Sequence, residues 1–368
     1  MGLCFTTVGL STDQSIMLLG VMCASAQSGI GESSYLALAS RFDKPEELLT
    51  CWSCGTGMAG VFGYAWLALW NVWLDLSFTF TLLSANCLVV CWFVVCCWLL
   101  VRPQELDEWY GCTCDSGYQG VRNEPGAGDV EQEPAADARE RFVVPTTFKA
   151  RFHYIATELW PYTVPLMVVY MSEYAMQSGT WAAIGIPDVH SKQDRDAFYL
   201  YANWCYQGGV FLSRSSGMLF QAERSCLWVM PVLQAGLLAF FYVDATEHFW
   251  YSYSLMFPCF CTGLLGGGVY INALTLMCKE IPKECQEFSL GAVATAFSLG
   301  IMFSNVAGLY LQCLLYHSND IHELTSVQCG PGGWHNSTNT TNFTLGFAQG
   351  AEAASGYLVV HPSAYIPF

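Results

Sequence analysis

The chain has 368 residues, of which 53% are hydrophobic and only 12% charged; soluble domains carry about 25% charged residues, so a water-soluble globular protein is excluded. The formal net charge of −16 argues against nucleic-acid binding, which needs a basic face. The apolar residues fall in runs near the roughly 20 residues that cross a bilayer as a helix. The expected fold is therefore an all-α polytopic membrane protein.

Gly2–Leu10 is too short to span and is read as the tail end of a helix. Its MGLCFT start fits the N-myristoylation pattern through Gly2 and Thr6, but the segment runs straight into apolar sequence. No cleavable signal peptide is evident. The first full span is Ser15–Ser40, with Glu32 inside SGIGESSYLALAS; the loop RFDKPEELLTC follows. The second, Trp52–Leu74, opens on Gly55, Gly57, Gly60 and Gly63, which offer close helix–helix approach. Asp75 marks a tight turn before the third span, Leu76–Val101. Arg102–Lys149 is acidic, rich in Gly and Pro and without apolar periodicity, the composition of a disordered linker.

The fourth span, Tyr154–Gln177, carries Pro161 and Pro165, expected to kink it, and Glu173 near its far end. A polar connection, Gly179–Ala197, leads to the fifth, Phe198–Phe220. The remaining spans are Ser225–Val243, Phe249–Cys278 (with GLLGGGVYIN) and Gln286–Tyr316. Residues 317–368 form a tail of low complexity. Three spans, a linker and five spans give about eight in all, divided as 1–101, 102–149, 150–316 and 317–368. Two helix blocks joined by a long cytosolic loop is the plan of a major-facilitator transporter, which needs about six spans per half. The first half is about three spans short of that plan and is expected to be incomplete.

With the long loop in the cytosol, 11 of the 14 basic residues fall on the cytosolic side, Arg41, Lys44, Arg224, Lys279 and Lys283 among them. Only Lys192 and Arg195 fall opposite, a strong positive-inside asymmetry. The tail is then lumenal, where its sequons at Asn336, Asn339 and Asn342 are open to glycosylation. Most of the 18 cysteines lie in apolar runs and are read as small packing residues. The pairs Cys51/Cys54, Cys112/Cys114 and Cys259/Cys261 lack a second pair at metal spacing. Neither a metal nor a cofactor is expected.

Several polar positions inside the spans stand out. Arg214 in NWCYQGGVFLSRSSG costs roughly 2.5–3.5 kcal/mol to place at mid-bilayer. It either binds an anion such as the phosphate of a phosphodiester or snorkels to the cytosolic face, about six residues and roughly 9 Å away. Gln207 lies two turns before it on the same face, with Tyr206 beside; both line that face or hydrogen-bond between helices. Glu173, flanked on its own face by Tyr170 and Gln177, either couples protons or reaches lumenal water. Glu32 serves a cavity or a buried hydrogen bond. Tyr270 and Asn272 follow the triple glycine Gly266–Gly268, which permits a bend with free carbonyls or tight packing. There is no nucleophile–base pair, HExxH or paired aspartate, so an enzyme is not expected.

SGIGESSYLALAS followed by WSCGTGMAGVFG, then VPLMVVYMSEY, YQGGVFLSRSS and LLGGGVYINAL in that order, resembles the battenin family over about Leu10–Tyr316. The resemblance implies a major-facilitator-like fold in lysosomal or late-endosomal membranes and export of glycerophosphodiesters. It also implies links to lysosomal pH, basic amino acids and vesicle traffic. Within it, Glu173 and Tyr174 match the family's EY motif and Arg214 its SRSS arginine. Against this resemblance, the family's opening spans are expected to be missing, the terminal Tyr-Ile-Pro-Phe has no prenylation motif of the kind some members carry, and the linker shows no acidic dileucine signal. The expected substrate-binding residues are Glu32, Glu173, Tyr174, Tyr206, Gln207, Arg214 and Asn272, and the expected partners are the bilayer and a small anionic metabolite. The alternative is a membrane scaffold that meets trafficking proteins through its cytosolic loop.

Overall fold

A computed structural model describes residues 1–11, 13–42, 44–99, 147–218 and 222–321. Nearly all of the acidic linker, and the tail with Asn336, Asn339 and Asn342, lie outside the described residues. Before the linker come α1 (Gly2–Leu10), α2 (Gln14–Ala39), α3 (Pro45–Leu67), α4 (Phe78–Ser84) and α5 (Asn86–Val94). After it come α6 (Phe148–Tyr154), α7 (Trp160–Ala175), α8 (Lys192–Ser215), α9 (Arg224–Glu247), α10 (Met256–Glu280) and α11 (Lys283–Ser318). No strand occurs among the described residues.

Local chemistry sets the ends of these helices. Asp13 caps α2, its carboxylate accepting from the Ser15 amide at 2.8 Å. Pro45 occupies the first turn of α3 with Glu46 and Glu47, where a missing N–H is harmless and negative charge is favoured. The expected loop RFDKPEELLTC is thus half helix, and α3 starts seven residues before Trp52. Ser191 caps α8 by accepting from the Asp194 amide at 3.3 Å, so this helix also begins earlier than the apolar run at Phe198. In both cases a polar cap and an acidic first turn extend a helix beyond its hydrophobic stretch. Asp75 takes a left-handed φ of 49°, the tight turn expected there. Pro161 is preceded by a π-helical stretch, Ile155–Leu159, which absorbs the carbonyls a proline leaves unpaired.

Among the described residues four segments, Phe78–Trp98, Arg224–Glu247, Tyr253–Glu280 and Lys283–Ser318, are long and apolar enough to cross a membrane. Helices α2, α3 and α8, of 26, 23 and 24 residues, match that length at about 1.5 Å per residue. Like α7, they are less apolar, because they carry the polar groups described below.

The helices before the linker pack on those after it: α3 lies against α8 and α10, and α2 against α11. Helix α8 lies along α10 through small residues. A Cβ added to Gly263 would stand 2.9 Å from the Val210 amide nitrogen, and one added to Gly209 2.9 Å from that of Leu264, so only glycine permits this backbone approach. Of the four glycines opening the second span, Gly57 and Gly60 face α8, whereas Gly55 faces open space.

Apart from three charged residues in the interior, described below, charged side chains mark the two ends of the bundle. At one end Arg41 pairs with Glu287 at 3.0 Å, Lys279 with Glu46 at 3.9 Å and Arg224 with Glu280 at 2.8 Å. This is the end expected to be cytosolic. At the other, Arg195 donates to the Val189 carbonyl and lies over the Tyr316 ring. In the loop after α9, burial lifts the Tyr251 hydroxyl to about 12, and it accepts from the Gly185 amide at 2.8 Å.

Candidate functional site

Arg214 sits in the last turn of α8. Side chains on a helix lean toward its N-terminus. In a helix whose C-terminal end is the cytosolic one, that lean carries Arg214 inward, away from the cytosol. Its guanidinium donates to Thr56 Oγ1 at 2.6 Å on α3 and to the Tyr170 hydroxyl at 2.9 Å on α7. It lies 4.2 Å from the centre of the Tyr270 ring on α10, a cation–π distance. The arginine does not snorkel. Its Nε is buried without a partner.

Two carboxylates flank this arginine, and neither forms an ion pair with it. Glu32 of α2 accepts from the Tyr270 hydroxyl at 2.8 Å, and the same hydroxyl accepts from Trp52 Nε1 at 3.3 Å. Glu173 of α7 is 2% exposed and accepts a hydrogen bond from the Tyr206 hydroxyl through Oε1, while its Oε2 is buried with no partner. This burial removes the reading of Glu173 as an interfacial group in lumenal water. Gly266 gives it room: a Cβ there would lie 2.8 Å from the Glu173 carboxyl carbon. Tyr174 stacks on Tyr170, ring centres 6.0 Å apart, and Tyr170 on Phe297 at 5.2 Å.

The structure thus brings together Glu32, Glu173, Tyr174, Tyr206 and Arg214 from three helices. Gln207 shares the α3-facing side of α8 with Arg214 but packs against Gly60, two turns before it along the helix. Asn272 does not join the cluster. Its amide is spent within the chain, accepting from the Ala222 amide at 2.6 Å and donating to the Gly268 carbonyl at 2.8 Å. The triple glycine gives packing rather than a bend, because α10 runs unbroken through it. Thr56 and Trp52 are the site residues that the sequence reading missed. A threonine and a tryptophan in a glycine-rich span carry no signal of their own; the register of α3 against α8 would have revealed them. Among the described residues no group of three or more metal-ligating side chains occurs.

A bundle of membrane-length helices with one arginine, two carboxylates and a ring of tyrosines in its interior defines a multi-pass membrane protein with an internal polar site. A family model described as CLN3 protein matches residues 2–317, and the chain belongs to that family. It is 30% identical over 325 residues to a Protein BTN1 of Chaetomium globosum, covering 82% of this chain and 69% of that one. It is 30% identical over 320 residues to Battenin of Canis lupus familiaris, covering 85% and 68%. Against a Protein btn1 of Schizosaccharomyces pombe the identity is 29% over 311 residues, covering 82% and 72%. No solved structure matches the chain.

Proposed function

We propose that this protein is a lysosomal or late-endosomal transporter that exports small anionic metabolites of the glycerophosphodiester class. It works by rocking of its two helix blocks in the manner of a major-facilitator protein, and its influence on lysosomal pH and basic amino acids follows from that export. The observation that carries this reading is the Arg214 guanidinium. It lies between α3 of the first block and α7 and α10 of the second, held only by neutral hydroxyls and an aromatic face. A cation so held keeps its charge for an incoming anion and offers a phosphodiester charge-assisted hydrogen bonds.

The test is export from lysosomes of cells that lack the endogenous protein. Wild type should clear accumulated glycerophosphodiesters and Arg214→Ala should leave them in place; full clearance by the variant would remove the arginine from the site. The scaffold reading predicts the reverse dependence, with function lost on deleting 105–140 and retained in Arg214→Ala.

A further inference from the structure

Charge accounting in the cluster goes one step beyond that transport reading, on which it rests. The groups that meet there are Glu32 from α2, Trp52 and Thr56 from α3, Tyr170, Glu173 and Tyr174 from α7, Tyr206 and Arg214 from α8, and Tyr270 from α10. Helices α9 and α11 bring Met230 and Phe297 alongside, neither of them charged. The site therefore holds one permanent positive charge and two carboxyl groups.

An uncompensated charge in a low-dielectric interior is expensive. With one guanidinium present, one carboxylate balances it and the other carboxyl carries a proton. A bound phosphodiester monoanion adds a further negative charge. Neutrality then requires a second proton, taken up as the anion replaces a carboxylate as the charge that balances Arg214.

The two carboxyls are not equivalent. Glu173 is almost fully buried, one oxygen against Tyr206 and the other without a protein partner. Glu32 is only half-buried as a residue, which makes it the more open of the two. Glu32 also ties α2 of the first block to Tyr270 on α10 of the second. Protonation removes the charge that strengthens that bond.

We propose that Glu32 takes up one proton with each monoanionic substrate, so that the protein is an electroneutral proton–anion symporter in which the same event loosens the Glu32–Tyr270 tie between the blocks. The proton comes from water on the loading side and returns to water on the other side when the anion leaves and the carboxylate re-forms.

The experiment uses the full chain in proteoliposomes with labelled glycerophosphoglycerol as probe and a trapped pH dye. Wild-type uptake is expected to follow an imposed pH gradient, to be unchanged by a potassium–valinomycin potential, and to carry one proton per substrate. Substrate affinity should rise about tenfold per unit fall in pH while Glu32 is ionised. Glu32→Gln should abolish that slope, and Tyr270→Phe, a smaller change that keeps the carboxyl, should shift its midpoint while preserving its steepness. Wild-type uptake driven by the potential, a stoichiometry other than one, or an intact slope in Glu32→Gln would overturn the symport while leaving export standing. Absence of wild-type uptake under every gradient would overturn both.

Discussion

At the scale of single residues, direction decides what Arg214 does. Counted along the sequence it stands close enough to the cytosol to snorkel. What the count leaves out is the lean of side chains toward a helix N-terminus, which in α8 points the guanidinium at Thr56, Tyr170 and Tyr270. Thr56 gives a clean test because Thr→Val keeps the shape and deletes the hydroxyl. A hydrogen bond to a charged group contributes about 1.5–3 kcal/mol. If the guanidinium works in export, Thr56→Val should slow glycerophosphodiester clearance about tenfold or more at normal protein levels, measured on isolated lysosomes. Arg214, Glu173 and Glu32 were legible in the sequence because charge inside an apolar run is conspicuous. Thr56 was not, since its partner is 158 residues away and nothing local marks it. Asn272 misled for the opposite reason: a polar residue within a span looks available, yet both ends of its amide are occupied by backbone groups.

At the scale of elements, the site depends on how closely α8 and α10 approach. Gly263 and Gly209 set that separation, and with it the distance between the Arg214 guanidinium and the Tyr270 ring. Gly263→Ala should force the two backbones apart and cost about 1–3 kcal/mol, as overpacking does. The change should appear as a lower Tm in detergent together with weaker substrate binding. Gly208→Ala, one residue from Gly209 but facing open space, is the control and should melt within about 0.5 kcal/mol of wild type. The glycines of these spans announced close packing in the sequence, but composition could not say which of them face a neighbour. Where helix lies was legible from the apolar runs, each expected span being helical over most of its length. Helix starts were less so, because capping residues such as Ser191 and the Pro45–Glu47 turn lie in stretches that read as loop.

At the scale of the whole molecule, the blocks before and after the linker are interlocked. Helix α3 packs on α8 and α10, α2 on α11, and Arg41–Glu287 and Lys279–Glu46 join the same partners at one end of the bundle. Those ion pairs are exposed and contribute at most about 1 kcal/mol each, so the apolar and small-residue interfaces do most of the holding. Covalent continuity through the linker is then dispensable for assembly. A chain divided at residue 120 and made as two separate polypeptides should reassemble in the membrane: the fragment carrying Glu32 and Thr56 should co-purify with the one carrying Arg214. Exchanging Thr56→Val into the first fragment should weaken function as it does in the intact chain. Recovery of each fragment alone would show that the interface cannot hold without the tether. A protein that passes this complementation carries its recognition between halves in the helix faces, leaving the intervening acidic segment free to change in length and composition.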